Sequence, residues 1–234
     1  MYIYIYIMSS FSCKSFFMAK TVLPAHQARS RKSLARLLKA AVEVLNKDGL
    51  EGATIPRIAA RAGLSPGTVY RRFPDKDALL REVCLRLLDE NYRNSKALFT
   101  TERWKTMSLA EMSRSVIAIT LKGHHLHRGL LRALLFFTLQ HPDAAFVRKS
   151  EELEWRTFRD VGDLLLTRRN EIRHPDPEAA VRFALLIVGI AAQGVLVLPR
   201  NPKDFSRLVP DVEAQLESEL PKMFLRYLGV EERD

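Results

Sequence analysis

Thr54-Ile55-Pro56-Arg57-Ile58-Ala59-Ala60-Arg61-Ala62-Gly63-Leu64-Ser65-Pro66-Gly67-Thr68-Val69-Tyr70-Arg71-Arg72-Phe73 is the stretch whose reading decides the fold. It contains two helix starts and two stops. Thr54 is a capping residue, because its hydroxyl can accept from an otherwise orphaned first-turn amide. Pro56 fits that first turn, where amides have no intrahelical acceptor. Gly63 ends the first helix. Ser65 then caps a second, with Pro66 at the first helical position, where its fixed φ suits the start. Phe73-Pro74 stops it. Two short helices meeting at Gly63-Leu64 make a turn that sets them at a steep angle. Ile58, Ala59, Leu64, Val69 and Phe73 would bury the joint, leaving Pro66, Gly67, Thr68, Tyr70 and Arg71 to face outward. Gly67 lacks a Cβ, so the backbone there could approach a phosphate or a base edge closely.

Working outward, helical periodicity continues on both sides. Leu34, Leu37, Leu38, Ala41, Val42 and Leu45 share one face of an amphipathic helix. Asp48-Gly49 closes it, with the glycine free to take a left-handed cap. Asp75 caps a longer helix carrying Leu79, Leu80, Val83, Cys84, Leu87 and Leu88. Further helices are predicted at 108–122, 126–140, 143–169, 177–198 and 211–228. Pro199, Pro202 and Pro210 mark one irregular connection, and Pro221 predicts a kink in the last helix. No alternating strand run remains after the first residues, so the fold class is all-α. The chain divides into a disordered tail (1–29), a three-helix helix-turn-helix head (30–77) and a larger helical domain (78–234).

Charge is concentrated where the short helices lie. Residues 1–74 hold twelve Lys/Arg against three acids, nearly the whole net charge of +10. Clustered cations displace counterions from phosphates, so a polyanion suits the N-terminal third. Hydrophobic residues at 47% supply an ordinary soluble core without metal or disulfide staples. Cys13 and Cys84 form no metal spacing, which places the chain in a reducing cytoplasmic compartment. Met1 to Ile7 alternates β-formers, is too short to span a bilayer and lacks a basic signal-peptide start. Met18-Ala19-Lys20 is a plausible native start, and Met1 to Phe17, read as an extension or a disordered tail, is set aside from the fold.

These residues resemble the TetR family of transcriptional regulators. The resemblance rests on Thr54, Ile58-Ala59, Ala62-Gly63-Leu64-Ser65, Gly67-Thr68, Tyr70, Phe73 and Lys76, and it covers about residues 31–80. It implies a DNA-binding head with the third helix in the major groove, a fourth helix leading to a regulatory domain, and an obligate homodimer. It implies phosphate contacts at Thr54, Thr68, Tyr70 and Lys76, and base or groove contacts at Pro66, Gly67 and Arg71. Arg57 and Ser65 complete the expected DNA-binding set, Arg57 for its charge. The expected function is a repressor that binds a palindromic operator as a homodimer and is released by a small molecule. Two other readings compete. An αα corner in a helical protein needs no DNA. Gly63-Leu64-Ser65-Pro66-Gly67 also satisfies the G-x-S-x-G elbow of hydrolases, with Ser65 as nucleophile, but that elbow needs a preceding strand. No catalytic residue is assigned, and no cofactor or metal is expected.

For the remainder, Phe183 to Leu198 is nearly continuous apolar sequence with small residues that permit close helix approach. Together with the stripe on the last helix it predicts a four-helix dimer interface: Leu186, Gly189, Ala192, Val212, Leu216, Leu220, Met223 and Tyr227. Trp104, Met107, Leu131, Leu134, Phe137, Trp155, Phe158 and Phe183 are expected to line an effector pocket, with Gln193 or His125 as polar fixtures. An apolar or aromatic effector follows from that lining. His124, His125 and His127 cluster in sequence, but without acidic or thiol ligands nearby they read as a polar helix end. Cys84 reads as a buried structural thiol.

Overall fold

A computed structural model describes residues 25–100, 102–142, 144–198, 209 and 211–230. The described residues contain helices and no strand. The chain order is α1 (Ala25–Gly52), α2 (Ile55–Ala62), α3 (Pro66–Tyr70), α4 (Lys76–Phe99), α5 (Leu109–Leu126), α6 (Arg128–Gln140), α7 (Ala144–Leu166), α8 (Pro177–Ala192) and α9 (Val212–Leu228). Short 3-10 turns at Glu102–Lys105 and Arg169–Glu171 complete it, with a π-helical turn at Gln193–Val197. The residues before Ala25 and the prolines Pro199, Pro202 and Pro210 lie outside the described residues.

Most sequence signals act where they stand. Gly49 takes φ 70°, ψ −171° inside α1, which breaks the helical path there in a backbone conformation open to glycine, but it is not the left-handed cap expected at Asp48-Gly49. Asp75 caps α4 by accepting from the Ala78 amide at 2.7 Å. Ser108 and Glu111 close a reciprocal capping box on α5, and the Ser108 amide and hydroxyl hold the Glu111 carboxyl below its usual pKa. Asp176 caps α8 through the Ala179 amide at 3.0 Å. One end differs from expectation: α3 stops at Tyr70 rather than at Phe73. α9 spans Val212–Leu228 with Pro221 inside it, matching the helix expected at 211–228.

Packing divides the chain into two compact units. Among the described residues, 25–87 with Gly129–Val147 form one; Leu88–Arg128 and the residues from Arg148 onward form the other. In the first, Leu37, Leu38, Ala41, Leu45, Ile58, Ala59, Val69, Leu79 and Leu80 are buried around the helix-turn-helix. Two ties join α6 to this core. The Asn46 carboxamide oxygen accepts from the Leu130 amide at 3.1 Å. At the other end, His141 bridges the Phe137 carbonyl and the Asp77 carboxylate, each at 2.9 Å. In the second unit, Trp104, Met112, Val116, Ile117, Val161, Leu165, Leu185, Val188 and Phe224 build an apolar core from α5, α7, α8, α9 and the first 3-10 turn.

Gly129 marks where α6 meets α1. A Cβ there would lie 2.2 Å from the Asn46 carbonyl oxygen, a backbone atom that cannot step aside. Gly129→Ala should therefore lower unfolding free energy by roughly 1–3 kcal/mol, although alanine is the better helix former. Urea denaturation checks this; an unchanged or raised midpoint would show that α6 does not press on α1.

Candidate nucleic-acid interface

α2 and α3 are joined by one residue in the left-handed region. Gly63 sits at φ 64°, ψ 41°, where a Cβ is disfavoured. Its amide donates to the Ala60 carbonyl at 3.1 Å, and the Leu64 amide donates to the Ala59 carbonyl at 2.9 Å. This closes the end of α2 and turns the chain sharply. Ser65 then caps α3 by accepting from the Thr68 amide at 3.3 Å. Ile58, Ala59 and Val69 are fully buried beneath the turn. Ser65 is thus preceded by a helix and a turn, and its hydroxyl is spent on a cap and on the Thr68 hydroxyl at 3.0 Å. No strand leads into a hydrolase elbow here.

The outward face carries the expected residues together. Pro66, Gly67, Tyr70 and Arg71 are exposed and Thr68 is half-buried. Tyr70 leaves 54% of its surface in solvent, so its ring and hydroxyl are open to a partner. The Arg71 guanidinium donates to the Thr68 hydroxyl at 3.1 Å, which holds it over the same face. Thr54 caps α2 by accepting from the Arg57 amide at 3.4 Å, and Arg57 pairs with Asp48 at 3.3 Å. That pair is more than half exposed on the arginine side, so it contributes at most about 1 kcal/mol and leaves the guanidinium available to another anion.

Four basic residues take roles that the sequence did not disclose. Arg72 reaches back to α1, where one terminal nitrogen donates to the Ser30 carbonyl, the Ser30 hydroxyl and the Ser33 hydroxyl, each at 2.9 Å. It fixes α3 against the start of α1. Lys32 and Arg36 join Ser30, Ser33, Thr68, Arg71 and Arg72 around an open basic depression. The surplus of Lys/Arg over residues 29–39 was the signal that could have found them. Lys76 is half-buried, and its ammonium donates to the Leu50 carbonyl at 3.1 Å. It supplies a partner to a carbonyl at the end of α1 and so ties the start of α4 to it.

The residues expected around an effector are not all brought together. Leu131, Leu134 and Phe137 are buried in the first unit; Trp104 is buried in the second. Met107 and Phe158 pack at the edge of the Trp104 core. Trp155 and Phe183 are half-exposed, and Gln193 is buried at the π-helical turn. The expected dimer residues also sort by depth. Gly189, Ala192 and Leu220 face their own core, while Leu186, Val212 and Leu216 are half-buried and Met223 and Tyr227 are exposed. Phe183, Ile187 and Ile190 extend the exposed apolar row along α8. His124 is buried on α5, and His125 is exposed and lies 3.7 Å from Glu213. Cys84 is buried, as expected of a structural thiol.

Residues 37–83 match the model of the family described as bacterial regulatory proteins, tetR family. That stretch belongs to the TetR family. Similar relatives of known name are helix-turn-helix regulators. UidR of Escherichia coli (strain K12) is 23% identical over 132 residues, covering 56% of this chain and 65% of UidR. The chain thus matches a little under two thirds of UidR's length. BetI of Escherichia coli O157:H7 is 26% identical over 162 residues, covering 69% of this chain and 81% of BetI. Among solved structures, a TetR-family regulator from Mesorhizobium loti superposes with a TM-score of 0.62 at 22% identity, covering 86% of this chain and 97% of that one. FadR from Bacillus halodurans, a regulator of fatty acid degradation, superposes at 0.57 with 15% identity, covering 88% and 97%. These likenesses establish the TetR fold along both units, all-α with a helix-turn-helix head.

Gly67 separates what the fold needs from what an outside partner needs. It has no positive φ, and a Cβ placed on it meets nothing within 4 Å. Nothing inside the chain calls for glycine, yet glycine costs a helix about 0.5–1 kcal/mol relative to alanine. Gly67→Ala should raise the free chain's unfolding free energy by up to about that amount and weaken DNA binding about tenfold or more. Arg71→Ala should cost about 1–3 kcal/mol of operator binding and relax preference at one base position per half-site. Thermal melts and binding titrations on single-base operator variants read both. A Gly67→Ala chain that binds DNA as well as the parent would remove this face from the interface.

Proposed function

We propose that this TetR-family chain is a ligand-responsive transcriptional repressor. It binds a palindromic operator duplex as a homodimer and leaves it when a small molecule binds. The observation that carries the reading is the composition of the α3 face: a glycine the fold does not require, an exposed tyrosine and an oriented arginine, beside a depression lined with four cations. Cations positioned over a groove-sized helix contribute sequence-independent phosphate affinity, while the residues nearest the base edges discriminate. Thr54, Thr68, Tyr70 and Lys76 take phosphate; Pro66, Gly67 and Arg71 take groove and base contacts. Lys32 and Arg36 extend the phosphate track onto α1. Functionally, residues 30–77 bind DNA and 78–234 dimerise and sense the effector.

Homodimerisation is favoured by an apolar row that the chain leaves in solvent. Phe183, Ile187 and Ile190 on α8 and Met223 and Tyr227 on α9 are each at least a third exposed. A small apolar hollow of about 160 Å³ lies between the two helices. Pro177–Val197, with mean hydropathy 2.1, is long and apolar enough to cross a bilayer by length and composition. Half of it is buried within its own unit, and a second copy laid on α8 and α9 would cover the exposed row. Such a dimer presents two α3 helices to two half-sites, which gives the operator its palindromic form. DNA as the partner sets the working compartment as the cytoplasm.

Selection of bound duplexes from a random pool should return an inverted repeat. Sedimentation should give a dimer at micromolar concentration. Ile187→Asp combined with Met223→Asp should yield folded monomer and weaken operator binding by at least about a hundredfold, since each half-site alone retains only part of the affinity. A parent chain that sediments only as monomer, or a pool that yields no inverted repeat, would contradict the proposal.

A further inference from the structure

α5 is buried over a wide arc, and polar groups run along the middle of it. Ser113, Thr120 and His124 share one stripe and are at most 2% exposed. Thr120 is satisfied by its own helix, donating to the Val116 carbonyl at 2.9 Å. His124 is not. Its Nδ1 lies 2.8 Å from the Thr120 carbonyl, which can only accept, so Nδ1 carries the proton and Nε2 presents a bare lone pair. That Nε2 is buried without a donor, and so is the Ser113 hydroxyl. Burial pushes the His124 pKa down, against the raising effect of the Thr120 carbonyl, which keeps the ring neutral. On the same core, α8 ends in the π-helical turn Gln193–Val197, which carries buried Gln193 and packs against α5. π-Turns of this kind occur often at binding sites.

A buried acceptor without a donor costs free energy that an apolar side chain of the same shape would avoid. We infer that His124 Nε2 is the polar anchor of the effector site, and that the effector is a neutral, apolar-bodied molecule bringing an O–H or N–H donor to it. The inference rests on the ligand-responsive reading proposed above and specifies the chemistry of that site. Phenols, alcohols and amides fit. Carboxylates, phosphates and sulfates do not, because they bring acceptors and charge to a lone pair in an apolar interior. The purely apolar effector suggested by the aromatic composition is replaced by one with a required donor.

The test uses the full chain bound to its selected operator. The probes are phenols and alcohols, each beside its own O-methyl ether and the carboxylate of matching skeleton. Release of DNA and thermal stabilisation of the free chain are measured together. The expected releasers are donors, with the ether at least about tenfold weaker and the carboxylate inactive, the loss expected when a buried acceptor finds no partner. In His124→Phe the donor-to-ether ratio should fall to within about threefold of unity while operator binding in the absence of probe is kept. His124→Gln, which restores an acceptor, should recover part of the ratio and covers the case in which the phenylalanine variant fails to fold. In the parent chain, the Nε2 resonance of ¹⁵N-labelled histidine should shift with donors and stay with ethers. Ethers that release DNA as well as their parents, or a ratio unchanged in both variants, would overturn the assignment of His124 while leaving the ligand-responsive reading intact. Intact operator binding with neither release nor stabilisation by any probe would overturn that reading, and this inference with it.

Discussion

The interface hangs on one backbone position. Gly63 must be left-handed for α2 to end and α3 to begin with only three residues between them, and the two hydrogen bonds that close the turn draw on carbonyls of the last turn of α2. A side chain there would strain the turn and change the angle at which α3 leaves. Everything useful about α3 follows from that angle: Val69 goes under the turn with no exposure, and the start of the helix stays in solvent. Five residues are too few to form a stable helix alone, so α3 exists only because its surroundings hold it. The Ser65 cap starts it, and Arg72 pins its far end to Ser30 and Ser33. Lys76 then ties α4 to the end of α1. The basic side chains therefore divide their work between orienting the short helix and facing a partner.

Three places in the chain keep residues that its own stability does not need. Gly67 occupies open space where alanine would strengthen the helix. Phe183, Ile187, Met223 and Tyr227 lie in solvent although they are apolar. His124 holds a buried lone pair with no donor. Each departure has the form expected of a surface shaped for something outside the chain: a close-approaching backbone or base, a second copy, a hydrogen-bonding small molecule. Natural sequences break local rules at functional positions and compensate elsewhere. Here the compensation is visible in well-capped helices and two apolar cores.

Local signals were legible in the sequence and long-range ones were not. Caps at Thr54, Ser65, Asp75 and Asp176, the glycine stop at Gly63 and the apolar stripe of α1 are decided within a few residues of themselves. They therefore gave the helices and the helix-turn-helix directly. The end of α3 at Tyr70 was missed because the tightening of its last turn leaves no mark in composition. The packing of Gly129–Val147 with the head depends on Asn46 meeting Leu130 and Asp77 meeting His141, pairs far apart in sequence with no shared pattern. The same limit scattered the expected pocket. An aromatic in a helical stripe has the same period whether it faces a cavity, a core or a partner, so Trp104 lies in a core and Trp155 in solvent. The tautomer of His124 is set by a carbonyl one turn away, and its significance lies in what does not reach the other nitrogen.

Amide hydrogen exchange of the full chain, with and without the selected operator duplex, tests the central claim most directly. Docking of α3 in the groove predicts new protection over residues 54–76, strongest at the start of α3, together with protection at the start of α1 where Lys32 and Arg36 line the basic depression. Duplex-dependent protection that leaves residues 54–76 unchanged would contradict the account, because DNA would then be held by some other surface.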